Sequence, residues 1–329
     1  MNPGDTAGRW GALTALVAPD PMSFSVRRLA VAAALLLVAP LVQAQGTSRS
    51  YDQSVLAELT ARSGVLPDGP VRYARYTLND PSGNSVLARL ALYEQVGEGD
   101  AERGRRRLAL SQLLGGPPVE DLRMGDTIVL PAFPRDFDLA PVAYAPFPQT
   151  WPGAAEIGKV VIVDKTVQVW AAYENGRLVR WGPASTGSAQ TPTPTGRFTM
   201  NWRAMERESS EAPEGETWLM RYVMNIYEAR GIHLHQYDVV PTGPPVGHGC
   251  IRLVRPDAEW LWGWSEPWQT PAGPGALGAR PTKAGTLVIV QGTEPPSTPV
   301  RFVDGRFGPE RIQVALPADP MAVPRGDRP

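Results

Sequence analysis

The chain has 329 residues but only three histidines and one cysteine, and all four fall in one stretch: His233, His235, His248 and Cys250. It reads Gly231-Ile-His-Leu-His-Gln-Tyr-Asp-Val-Val-Pro-Thr-Gly-Pro-Pro-Val-Gly-His-Gly-Cys-Ile-Arg-Leu253. A cysteine becomes a nucleophile when a neighbouring base takes its proton, and imidazole is the usual base. A lone cysteine is often only a small buried hydrophobe; the crowding of every histidine beside this one favours chemistry. The same side chains also make a His-x-His and His-x-Cys donor set of the kind zinc accepts. Against zinc stand the two-residue spacing of His248 and Cys250 and the lack of a carboxylate in a catalytic-zinc pattern. We therefore expect neither a metal nor a cofactor.

The elements that must position these residues begin after an export signal. Met22 opens a short segment with Arg27 and Arg28, an apolar run follows from Leu29 to Ala39, and Val42-Gln43-Ala44 reads as a cleavage site before Gln45. Residues 1–45 are thus read as a signal peptide whose start is Met22, and the protein as exported to the periplasm or cell envelope. The alternative is an uncleaved N-terminal membrane anchor. Exported proteins use cysteines mainly in disulfide pairs, so a single cysteine points to a reactive thiol. With 32 Lys and Arg against 33 Asp and Glu, the charge balance implies no polyanionic partner, nucleic acid included. Arg105-Arg106-Arg107 is read as solvated helix surface.

Residues 46–132 form a small N-terminal domain in this reading, mixed α/β or helical. Ser85–Gln95 and Leu108–Leu114 have helical apolar spacing, the second stopped by Gly115-Gly116-Pro117-Pro118. Prolines 134, 141, 146, 148 and 152 mark residues 133–156 as a stiff linker. From Ile157 the pattern becomes alternating. Val160–Val163 and Val167–Tyr173 read as strands, and Asn175-Gly176 suits a type I′ hairpin turn before Arg177–Trp181. Phe198–Trp202, Trp218–Tyr227 and Gly285–Gln291 continue the β pattern. Pro256–Trp264 is predicted as a helix with proline in its first turn; its tryptophans at 260, 262 and 264 cannot share one face, and a broad core contact is favoured over glycan stacking. Residues 203–217, with five glutamates, are read as a solvated insertion that alternatively forms one wall of a groove. Residues 293–329 are expected to be a loosely packed proline-rich tail.

Gly247-His-Gly-Cys-Ile-Arg-Leu253 resembles the signature of the L,D-transpeptidase (YkuD-like) catalytic domain, in which Ser-His-Gly-Cys-Ile/Val-Arg is usual. Thr193-Pro-Thr-Gly-Arg-Phe198 is similar to that family's Thr-Pro-x-Gly-x-Phe segment, and the hairpin through Asn175-Gly176 to Ser185-Thr186-Gly187 agrees. The resemblance spans roughly residues 157–292. It implies a mainly β, sandwich-like domain with a short packed helix. It implies peptidoglycan stem peptides as substrates, a thioester on Cys250, an amine acceptor and reaction with carbapenem-type inhibitors. One departure is Gly247, where the family carries serine. The base is ambiguous: His233 and His235 lie on one side of a strand. His235 is preferred, because Gly231-Ile-x-Leu-His235 matches the family's strand ending, and His233 becomes a neighbour that tunes the site or binds substrate. Backbone N–H groups around Gly249 and Cys250 are the expected oxyanion donors, His248 is read as structural, and Arg252 holds a substrate carboxylate or pins the loop.

Leu122-Arg-Met-Gly-Asp-Thr-Ile-Val-Leu-Pro131 resembles the close of a LysM peptidoglycan-binding module, without an evident opening half; the alternative is a small helical domain packed on the catalytic one. Competing functions are an L,D-carboxypeptidase or hydrolase on the same stems, a zinc hydrolase, and an inactive wall-binding protein.

Overall fold

A computed structural model describes residues 71–108, 119–133, 137, 145–237, 245–269, 281–297, 299–306 and 308–326. The export signal and most of the helical pattern at Leu108–Leu114 lie outside these residues. Among the described residues no helix is long and apolar enough to cross a membrane.

The chain is mainly β. Its N-terminal part runs β1 (Tyr73–Thr77), α1 (Ser85–Val96), α2 (Ala101–Leu108) and β2 (Thr127–Pro131). β1 and β2 pair antiparallel, Tyr73 opposite Pro131. The Asn84 side chain caps α1 by accepting from the N–H groups of Val86 and Leu87, satisfying two of the donors a helix start leaves open. Arg107 departs from the solvated reading of its run. It is buried and donates to the Val96 carbonyl and to Glu98 at 3.0 and 3.1 Å.

The larger part is a nine-stranded sheet made from β3 (Lys159–Asp164), β4 (Val169–Glu174), β5 (Arg177–Ser185), β6 (Gly196–Thr199), β7 (Arg203–Glu208), β8 (Leu219–Tyr227), β9 (Ile232–Tyr237), β10 (Ile251–Val254) and β11 (Leu287–Gln291). The order across it is β6-β11-β3-β4-β5-β10-β9-β8-β7. The β11/β3 and β10/β9 pairs are parallel and the others antiparallel. Asn175 and Gly176 turn β4 into β5 with φ of 49° and 73°, the positive pair that a type I′ turn needs. Helix α3 (Arg255–Trp264) follows β10 directly.

Alternation along β3 divides the core. Val161 and Val163 join Trp170, Met224, Leu234, Ile251, Leu253 and α3's Leu261 in one buried cluster. Residues from opposite ends of the sheet meet there, so the sheet curls over α3. Val160 and Ile162 face the other way, into a cluster with Leu78, Leu92, Leu108 and Leu130 of the N-terminal part and Phe147, Trp151 and Val314. A strand with both faces covered reads as an unbroken apolar run, and Val160–Val163 is one. The core therefore does not divide at the proline-rich linker. The Trp151 indole donates to the Pro317 carbonyl at 2.7 Å, and Tyr173 donates to Pro148.

The tail is also packed, against expectation. β12 (Phe302–Gly305) and β13 (Gly308–Arg311) form a hairpin, the Phe302 ring meets Tyr73 edge-on at 5.0 Å, and buried Arg301 donates to the carbonyls of Val167 and Gln168, each at 2.9 Å. Residues 203–208, read as part of an insertion, are the edge strand β7, with Glu206 paired to Arg221 of β8 at 3.1 Å. On α3 the Trp260 and Trp264 rings stack at 5.2 Å. Trp262 points elsewhere, its N–H on the Ala204 carbonyl and its ring under the Arg203 guanidinium.

Candidate active site

β9 and β10 lie side by side and parallel, with Leu234 opposite Ile251 and His235 opposite Arg252. Stepping this register back by one residue sets His233 beside Cys250, at the start of both strands. The Cys250 Sγ is 3.7 Å from His233 Nδ1 and 3.5 Å from the Gly231 carbonyl oxygen. Gly231 adopts φ 60° as it ends the short turn Glu228–Arg230, which starts β9 at the right level.

Both histidines of β9 are buried, as expected for residues two apart on a strand, but they do different things. His235 Nδ1 engages the Gln236 carbonyl at 2.7 Å, and register places it against Arg252 rather than the thiol. Against the preference for His235, the histidine set against the thiol is His233. The choice is made by inter-strand register, which the local Gly-Ile-x-Leu-His pattern does not contain. His233 is held by its ring, which packs against Trp202 with centroids 5.2 Å apart, and its Nε2 is buried without a hydrogen-bond partner.

Burial, helped by the nearby Arg207 charge, drives the His233 imidazole down to about 4. Burial likewise lowers His235 to about 4. Burial pushes the Cys250 thiol up; Arg252 opposes this rise and Glu211 adds to it. At neutral pH the resting pair is thus an uncharged thiol beside an uncharged imidazole. Such a pair transfers its proton during attack rather than before it, and a long apo separation is usual for a catalytic hydrogen bond.

The turn before Cys250 is built from glycine. Gly249 has φ 107°, a conformation that side chains disfavour, and a Cβ there would lie 2.9 Å from Ile232 Cδ1. At Gly247 a Cβ would come within 2.8 Å of the Thr186 carbonyl oxygen, so serine would require the chain to shift. The Gly247 carbonyl accepts from the Ser188 N–H and the Thr191 hydroxyl, each at 2.8 Å.

Residues 158–301 match the family model described as the YkuD L,D-transpeptidase catalytic domain. This stretch belongs to that family. Probable L,D-transpeptidase 3 of Mycobacterium tuberculosis (strain ATCC 25618 / H37Rv) is 34% identical over 94 residues, 24% of this chain and 33% of the relative. Among solved structures, an L,D-transpeptidase from Mycobacterium smegmatis is 20% identical and aligns with 41% of this chain and 58% of its own, TM-score 0.32. L,D-transpeptidase 3 from Mycobacterium tuberculosis with a faropenem-derived adduct is 22% identical over 41% of this chain and 60% of its own, TM-score 0.32. The chain thus spans about a third of the curated relative and under two thirds of these solved structures.

Within the L,D-transpeptidase domain the remaining predicted residues separate clearly. His248 is exposed and stacks on Trp218, 6.1 Å between centroids. Arg252 lies with its guanidinium 4.5 Å over the Tyr237 ring at the end of β9. Among the described residues no group of three or more His, Cys, Asp or Glu converges as metal ligands would. Sequence reasoning missed Trp202, Trp218, Thr191 and the hydroxyl role of Thr193. Thr193 opens the Thr193–Phe198 segment, but only the fold shows which carbonyl its hydroxyl reaches.

Proposed function

We propose that this protein is a cysteine-dependent L,D-transpeptidase acting on peptidoglycan stem peptides. The observation that carries this reading is the Cys250 thiol 3.7 Å from His233 Nδ1, on a turn whose glycines let backbone approach closely. The thiol adds to the carbonyl that follows the L-centre of a diamino acid while His233 takes its proton. Charge collects on the carbonyl oxygen, and the N–H groups around Gly249 and Cys250 receive it. The C–N bond breaks, His233 returns the proton to the departing D-alanine amine, and a thioester remains. An amine of a second stem then attacks the thioester, giving its proton to His233, which passes it to the departing sulfur. Residues 22–45 support export to the envelope, where this substrate lies. Among the described residues of the N-terminal part, the order β1-α1-α2-β2 supports a LysM-like reading, and with it contact with the wall.

Mass spectrometry of muropeptides incubated with the purified protein tests the proposal. A cross-linked product lighter than its two stems by one D-alanine is expected, and it should vanish with Cys250→Ala. D-alanine release without a cross-link would make the protein a carboxypeptidase. No change in the muropeptides would refute both.

A further inference from the structure

Every polar group of Thr193 is committed. The residue is 1% exposed. Its N–H donates to Glu294 Oε1 at 3.0 Å, and its carbonyl accepts from Lys165 Nζ at 2.7 Å. Lys165 and Glu294 are themselves a buried ion pair, 2.8 Å apart, so Thr193 is gripped from behind on both sides. Its hydroxyl accepts from the Gly187 N–H and donates to the Gly249 carbonyl, each at 2.8 Å. The Gly249 carbonyl can only accept, so the hydroxyl proton points to it, while the Gly187 N–H takes a lone pair of the oxygen. Two residues earlier, Thr191 holds the Gly247 carbonyl in the same way at 2.8 Å.

The bond to Gly249 has a consequence for Cys250. In a planar trans peptide the C=O and the following N–H point in opposite directions. The carbonyl that Thr193 holds shares its plane with the Cys250 N–H, so drawing one toward Thr193 aims the other to the far side. Glycine at 249, with φ 107°, permits this orientation but does not enforce it, because glycine has several alternatives. The hydroxyl supplies the missing constraint.

We propose that Thr193 is a positioning residue whose hydroxyl aims the Cys250 N–H at the oxyanion. The inference rests on the cysteine acyl-transfer reading above. Two reagents separate positioning from mere folding in the full chain. Iodoacetamide alkylates the thiol at a saturated carbon and forms no oxyanion. Imipenem acylates it through one: the Sγ–C bond forms, the β-lactam C–N bond opens, and the thiol proton passes to the ring nitrogen. Losing one oxyanion donor costs about 10²–10³-fold in rate. Thr193→Val should therefore slow acylation by roughly 10²–10³-fold and leave alkylation little changed, while Thr193→Ser restores most of the acylation rate. If Thr193→Val does not fold, Thr193→Ala carries the same comparison. Equal slowing of both reactions, or undiminished acylation without the hydroxyl, would overturn the role of Thr193 alone. A wild-type protein that alkylates but never acylates would overturn the acyl-transfer reading along with it.

Discussion

His233 and Cys250 are both uncharged at rest, and their neighbours decide how that pair answers to mutation and pH. Removing a general acid–base group costs about 10²–10⁴-fold in rate. His233→Ala should show that loss in acylation kinetics, and His235→Ala a smaller one; the reverse order would return the base to His235. Burial holds His233 near 4, so its base form persists through pH 5–6. The acid limb of kcat/KM should then fall below about pH 5, whereas a limb near 6.5, the free imidazole value, would show that His233 is not the titrating base. At this scale a thiol beside an imidazole was legible, because the one cysteine has all three histidines nearby in sequence. Which histidine faces the thiol was not, since a two-residue ambiguity on one strand face is settled only by the neighbouring strand. Gly247 was legible as a departure, but its tight approach to Thr186 appears only in the folded turn.

The elements that carry the site are tied together by buried charge. Asp257, in the first turn of α3, pairs with Arg180 of β5 at 2.9 Å with both side chains buried, and its Oδ2 accepts from the Trp170 indole at 3.2 Å. Removing one partner of such a pair strands the other and typically costs about 3–5 kcal/mol. Asp257→Ala should lower stability by that order in urea unfolding; a loss well under 1 kcal/mol would mean the pair is dispensable. His233 and His235 act on stability with a definite sign. Both are lowered to about 4, below the unfolded value near 6.5, so between these values the unfolded chain binds more protons. Their contribution is present above about pH 6.5 and is lost as pH falls toward 4. Unfolding midpoints should drop over that window, and less so in His233→Gln. The strands with apolar runs, β3, β4 and β11, were legible, as were the Asn-Gly hairpin and α3. β7 was missed because an exposed edge strand carries charge at Glu206, Arg207 and Glu208 without the alternation of a half-buried one. β10 has only four residues, too few for a period to show.

At the scale of the whole molecule, the sheet is covered on both faces. Val160, Ile162, Ala171 and Tyr173 share a buried cluster with the N-terminal part. A chain beginning at Pro148 would uncover the part of this face that Leu78, Leu92, Leu108 and Leu130 shield, and exposed apolar patches favour association. It should be less stable or aggregate on size-exclusion chromatography. A monomer as stable as the full chain would show that the N-terminal part is an independent unit, as the proline-rich linker suggests by itself. The sequence offered an N-terminal part packed on the catalytic one only as an alternative, because the covering residues are scattered from Leu78 to Val314, with no local pattern joining them. The pairing of Cys250 with His233 is tested most directly by intact-protein mass spectrometry of single-turnover acylation by a tetrapeptide stem. The wild type should gain the mass of the stem less D-alanine, Cys250→Ala should gain nothing, and His233→Ala should acylate far more slowly than His235→Ala. An unmodified wild type, or the adduct forming equally on Cys250→Ala, would contradict the account.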